Sequence, residues 1–318
     1  MKMKTVMMTA AVLSAGLAGF AQIASAQTFS DATGQYQVGI GRNGELYDYA
    51  TGVGLLNPAG SDYIAPGTPR DSWGITSSVG SAFADQSFTG TANITGTVFT
   101  PGTNSGTAVS TTTLGLTVTH TYNFFAPNIL SVQQTVTNTS NTAITGVVFR
   151  RNVDLDVPPT AFNENTFGPL GTNTSVVGAS YNGFENASPA TAFTSSCLLG
   201  CNEVGDLGAG IDLGLGTIDA GQSKTFAYYY GINMPGQTLD LLFTQAQGLG
   251  LSYLIGVQSS ENGLYPSLGA GSGFLGVSNI GTVAGTVPEP ASWAMMIVGI
   301  GAAGGALRRR RSVKVSYA

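Results

Sequence analysis

Residues able to carry chemistry are sparse in this chain, and their spacing narrows what they can do. The only histidine is His120. A multi-histidine zinc site or an HExxH helix is therefore impossible, and a Ser-His-Asp triad would have to take His120 as its base. His120 sits between Val118 and Tyr122 in an alternating apolar series, where a core histidine is the simpler reading. No GxSxG nucleophile elbow occurs. Gly39-Ile40-Gly41-Arg42-Asn43-Gly44 carries the letters of GxGxxG, but it leads into a hairpin signal and not into a helix. That context argues against a dinucleotide fingerprint. No catalytic residue is assigned.

Three other groups have spacing worth testing. Cys197 and Cys201 enclose only Leu198-Leu199-Gly200; in an oxidising compartment two cysteines this close are expected to pair. Asp154-Leu155-Asp156 is followed by Pro158-Pro159 and by Asn163-Glu164-Asn165. Alternate aspartates near amide oxygens form the hard-oxygen set that Ca²⁺ prefers, with Asp154, Asp156 and Glu164 as the candidate ligands. The glycine and terminal glutamate of an EF-hand loop are missing, and the sequence favours a solvated acidic loop paired with Arg150 and Arg151. No other cofactor is expected. Asp154, Asp156, Glu164 and Glu185 are also the acids that glycoside hydrolysis would need, with Trp73, Tyr228, Tyr229 and Tyr230 as sugar-stacking faces. Nothing in their spacing selects them, and Tyr228-Tyr229-Tyr230 is most simply a strand alternating core and surface tyrosines.

The elements that must position these residues read as β-strands almost throughout. Leu114, Leu116, Val118, His120, Tyr122 and Phe124 alternate with small and polar residues, the pattern of a half-buried strand. Leu130 to Val136 continues in the same style, the turn Asn138-Thr139-Ser140-Asn141 follows, and a strand is expected over Ile144 to Val153. Gly34 to Ile40 and Glu45 to Tyr49 flank Asn43-Gly44, a two-residue hairpin signal. Phe88 to Phe99 and Thr225 to Ile232 add further strands. Only Gln237 to Gln247 has helical spacing, through Leu239, Leu242, Phe243 and Ala246. The expected fold is all-β: a large antiparallel β-sandwich over residues 27–286 with one short helix, closed-barrel and two-sandwich layouts staying open.

Both ends read as targeting segments. Lys2 and Lys4 precede an apolar run from Val6 to Ile23, and Ala24-Ser25-Ala26 is a small-x-small cleavage site. Residues 1–26 are thus expected to be a signal peptide for the Sec machinery. At the other end Pro288-Glu289-Pro290 is followed by Trp293-Ala294, an uncharged Gly/Ala-rich run to Leu307, and Arg308-Arg309-Arg310-Arg311. The prolines fix φ and push their predecessors toward extended backbone, which keeps them out of the following helix. Residues 291–307 sit at the lower edge of what spans a bilayer, and four arginines hold that end in the cytoplasm.

This order of parts resembles the PEP-CTERM sorting signal, in its Pro-Glu-Pro-x-x-Trp-Ala variant, of exported proteins from Gram-negative bacteria. The resemblance implies that residues 287–311 anchor the chain briefly in the inner membrane, that an exosortase cuts near the motif, and that residues 312–318 form a cytoplasmic tail. It also implies delivery to the periplasm, outer surface or exterior, and association with exopolysaccharide or biofilm. The body, through Thr119 to Phe124, Val136 to Ser140 and Arg150 to Asp154, is similar to uncharacterised β domains of other exported bacterial proteins. Its paired strands also resemble the supersandwich of mutarotase-like and polysaccharide-active proteins, a fold-level likeness that assigns no activity.

Charge agrees with export. The chain is −5 overall, but seven of its twelve basic residues lie in the two targeting ends. From Gln27 to Val287 only Arg42, Arg70, Arg150, Arg151 and Lys224 oppose sixteen acids, a net of about −11. Such a surface disfavours nucleic acid and anionic lipid. Two functions compete: a non-enzymatic surface or matrix protein, and a polysaccharide-binding or polysaccharide-cleaving sandwich sent by the same route.

Overall fold

The computed structural model describes residues 27–233, 237, 239–249, 251–260 and 271–281. Eighteen strands and one helix follow in chain order. The first nine strands are β1 (Gln27–Ser30), β2 (Gln37–Ile40), β3 (Leu55–Leu56), β4 (Asp71–Ser77), β5 (Gly80–Asp85), β6 (Gly90–Ala92), β7 (Ile94–Pro101), β8 (Ser105–Thr112) and β9 (Leu116–Ala126). Then come β10 (Ile129–Asn138), β11 (Ile144–Asp154), β12 (Glu164–Gly171), β13 (Val176–Ser180), β14 (Val204–Gly205), β15 (Gly208–Ile218) and β16 (Ser223–Ile232). Helix α1 (Leu239–Gly248), β17 (Tyr253–Ser259) and β18 (Ser272–Val277) close the series.

The strands form three antiparallel sheets. The largest runs β14-β12-β17-β18-β16-β10-β9-β8-β7, the second β13-β15-β11-β4-β5-β6, and a small one β1-β2-β3. Alternation on β9 places Leu116, Val118, His120 and Tyr122 on one buried face. Register aligns Tyr122 with Val132 and Tyr228, and His120 with Gln134 and Phe226. In the second sheet Trp73, Arg151 and Ile211 form one row, and Ile75, Phe149 and Leu213 the next. The rows meet across a β-sandwich-like core: Phe149 packs on Phe226 at 5.3 Å and Trp73 on His120 at 4.8 Å between ring centroids. A fully buried large apolar side chain of this kind stabilises by about 1.5–3 kcal/mol.

Strand β11 is buried on both faces, because its outer face lies under the segment 182–196. Arg150 reaches the carbonyls of Asn186 and Ser188 and stacks 3.7 Å from the Phe193 ring centre, while Asn152 donates to the Gly183 carbonyl. Gly74 makes this close approach possible, since a β-carbon there would collide with the Ala187 carbonyl oxygen.

Two local expectations are corrected. Glu45 to Tyr49 is not a strand: Leu46 makes only an isolated bridge to Ile40, and Asn43-Gly44 lies inside a wider turn closed by Gly41 N–H to the Glu45 carbonyl (2.8 Å). That turn is used as a plug. Gly44 takes φ +89° and its carbonyl accepts from the Tyr122 hydroxyl (2.6 Å), while the Asn43 carbonyl accepts from Trp73 Nε1 (2.8 Å). Phe88 to Phe99 is likewise two strands: at Asn93 (φ +59°) the chain leaves the second sheet as β6 and enters the first as β7. The helix expected over 237–247 is α1, whose Leu242 and Ala246 pack with Ile129, Leu254 and Phe274. The signal peptide expected over residues 1–26 and the residues Pro288, Glu289, Pro290, Trp293, Ala294 and Arg308 to Arg311 lie outside the described residues. Among those described, no helix is long and apolar enough to cross a membrane.

Candidate functional site

Strand β11 ends at Asp154, and the extended chain then turns Leu155 into the core and Asp156 to the same side as Asp154. Backbone bonds fix both: Asp154 N–H donates to the Arg70 carbonyl (2.9 Å) and Asp156 N–H to the Tyr63 carbonyl (3.0 Å). The tight turn between β14 and β15 brings in Asp206. One carboxylate oxygen from each of Asp154, Asp156 and Asp206 lies within 4.8 Å of the others, two on buried residues and one on an exposed residue.

Glu164, at the start of β12, is fully buried beside this trio and is not one of the three. Its carboxylate accepts from Val157 N–H and Leu207 N–H, both at 3.3 Å, and so ties together the segments that carry Asp156 and Asp206. Asp154 Oδ1 and both Asp156 oxygens are buried and accept no hydrogen bond from a described residue. Burial pushes the Asp154 carboxyl up to about 9, with Asp156, Asp206 and Glu164 adding to the rise and Arg70 opposing it. Burial, with Glu164, Asp206 and Asp62, pushes Asp156 to about 8. Burial takes Glu164 to about 7 against the pull of the backbone N–H groups of Leu207, Val157 and Phe162. In hydrogen-bonding terms, three acceptor oxygens of Asp154 and Asp156 have no donor among the described residues. The arrangement suits a shared proton or a hard cation.

The solvated, arginine-paired loop expected for Asp154 and Asp156 is therefore overturned. Arg150 points to the outer face and grips Asp212 with two 2.7 Å bonds. Arg151 points between the sheets, where it pairs with Asp71, donates to the Tyr230 hydroxyl (2.6 Å) and reaches the Gly44 carbonyl (3.2 Å). Neighbouring residues on a strand face opposite ways, so the two arginines cannot serve one loop. Arg70, the nearest cation, is spent on Asp85 (2.8 Å) and on the Gly183 and Glu185 carbonyls.

Of the residues considered for sugar chemistry, Asp154, Asp156 and Glu164 come together, while Trp73, Tyr228, Tyr230 and Glu185 are committed elsewhere. Trp73, Tyr228 and Tyr230 are fully buried in the core. Glu185 is buried and holds its own loop, accepting from Ser180 Oγ, Thr194 and Ser195. His120 is fully buried with neither ring nitrogen bonded to a described residue, and burial together with the Arg151 charge holds its pKa well below the usual value. Cys197 and Cys201 are joined by a disulfide, with Leu199 fully exposed at the tip of the loop between them. Asp206 is the residue that sequence reasoning missed. Its only signal is a glycine-flanked turn, Val204-Gly205-Asp206-Leu207-Gly208.

Residues 286–311 match the PEP-CTERM protein-sorting motif, starting two residues before Pro288. The chain is therefore a PEP-CTERM-containing protein, targeted to exosortase and exported across a membrane. No curated protein matches the chain.

Proposed function

We propose that this chain is a non-enzymatic protein of the bacterial cell surface or extracellular matrix, associated with exopolysaccharide or biofilm. In this reading the Sec machinery exports it, residues 287–311 hold it briefly in the inner membrane, and exosortase cleavage near Pro288-Glu289-Pro290 releases the β body to the periplasm, outer surface or exterior. The observation that carries the reading is the sorting motif, which gives the chain an address outside the cytoplasm. Three features of the body support it. Its charge of about −11 is that of a soluble, self-repelling surface. Its aromatic side chains at Trp73, Tyr228 and Tyr230 are spent on the core and offer no stacking platform. Its one histidine is buried, with burial and the Arg151 charge opposing protonation, and no described nucleophile is bonded to it.

The test is the C-terminal mass of the natively released protein, alongside reducing-sugar assays on the same material. The reading expects Arg308 to Arg311 to be missing from the product and no sugar to be released. Retention of the arginines would contradict removal, and hydrolysis of a polysaccharide would overturn the non-enzymatic role.

A further inference from the structure

Four carboxylates converge from three separate segments: Asp154 and Asp156 from the end of β11, Glu164 from β12, and Asp206 from the turn before β15. Acidic clusters are common on protein surfaces and mean little by themselves. This one differs because its centre is buried. Asp154 and Asp156 are 2% and 1% exposed, and three of their four carboxylate oxygens have no donor among the described residues. Buried carboxylate oxygens are ordinarily satisfied, so three unsatisfied ones, on two residues that each place a carboxylate oxygen within 4.8 Å of the other's, call for a positive partner. Among the described residues, the buried arginines do not supply it, since Arg70, Arg150 and Arg151 are each bonded elsewhere.

We infer that Asp154, Asp156 and Asp206 bind a Ca²⁺ ion, with Glu164 as a positioning residue that braces the two segments carrying Asp156 and Asp206. The ligand chemistry is that of a hard cation: carboxylate oxygens only, with no sulfur or imidazole in the group. The choice between the common hard cations follows from rigidity and access. The ligands come from a strand end and a two-strand turn, an irregular set that tolerates Ca²⁺ and its variable coordination better than the strict octahedron of Mg²⁺. Asp206 is exposed, which leaves the outer side open for water to complete the shell. An affinity of ~10⁻⁴–10⁻³ M, typical of extracellular modules, would load the site only after export. The inference is independent of the matrix role proposed above, because it concerns the folded body and not its destination.

The experiment uses the full chain in mild detergent, stripped with a chelator and then titrated with CaCl₂ or MgCl₂ while thermal unfolding and binding heat are recorded. Ca²⁺ at about 10 mM is expected to raise the melting temperature by roughly 3 °C or more, with a much smaller response to Mg²⁺. Asp156→Asn should abolish the response. Asp206→Asn should weaken Ca²⁺ binding by about tenfold or more, while its chelator-treated melting temperature should be no lower than the wild type's, because one carboxylate fewer repels Asp154 and Asp156. Should Asp156→Asn fail to fold, the exposed Asp206 variant decides alone. Absence of both heat and shift in the wild type, an undiminished response in Asp206→Asn, or an equal response to Mg²⁺ would each overturn the assignment.

Discussion

At the scale of single residues, the buried charges sort into those with partners and those without, and each kind has its own signature. Without metal, the folded values of about 9 for Asp154, 8 for Asp156 and 7 for Glu164 lie above the ~4 of an unfolded carboxyl. The folded state therefore holds more protons than the unfolded state, and stability must fall as pH rises. Their contribution is fully present below about pH 4 and is lost as pH climbs through 7 to 9. Chelator-treated protein should show a melting temperature that declines from pH 5 to pH 9, and a rising one would contradict the buried cluster. Arg151 is the opposite case. It satisfies Asp71 and Tyr230, both fully buried, and truncating one partner of such a set costs about 3–5 kcal/mol. Arg151→Met is expected to destabilise by that amount in urea denaturation. A loss under about 1 kcal/mol would place the pair with weak surface bridges.

At the scale of elements, alternation made β9, β10 and β16 legible, because a strand with one wet face advertises its period. Strand β11 hid half of itself. Arg150, Asn152 and Asp154 look like a solvent face in the sequence, yet a long loop more than 25 residues downstream lies on them. No local pattern reports that a polar face will be covered by distant backbone, so both the destination of Arg150 and the burial of Asp154 were out of reach. Asp206 was invisible for the same reason: it joins the trio only because β14 and β15 return the chain beside β11 and β12. Hydrogen-bonding capacity decided the outcome, since the loop's carbonyls accept from Arg70, Arg150 and Asn152. The loop's fit can be tested at Gly74. Gly74→Ala should cost about 1–3 kcal/mol, an overpacking penalty, and expose 182–196 to limited proteolysis. The disulfide at the far end of this segment closes a short loop, and replacing both cysteines with serine should lower stability by only about 2 kcal/mol.

At the scale of the whole molecule, charge and address are coupled. Seven of the twelve basic residues lie outside residues 27–287, and only one acid, Glu289, lies with them. Processing at both ends would thus convert a chain of −5 into a body of about −11 with five basic residues left. Of those five, Arg70, Arg150 and Arg151 are buried in ion pairs with Asp85, Asp212 and Asp71, so each pair cancels and the net of about −11 rests on the remaining groups. A protein with that surface repels copies of itself in the absence of divalent cations and stays soluble. The released form should focus clearly below the pI of about 4.7 calculated for the full chain, whereas a precursor that keeps its arginines should focus near it. Substituting Pro288 and Pro290 together with alanine removes the rigid signpost, and is expected to leave the less acidic, uncut form in the membrane fraction. Finding the fully acidic form in the medium from that variant would show that cleavage does not depend on the two prolines.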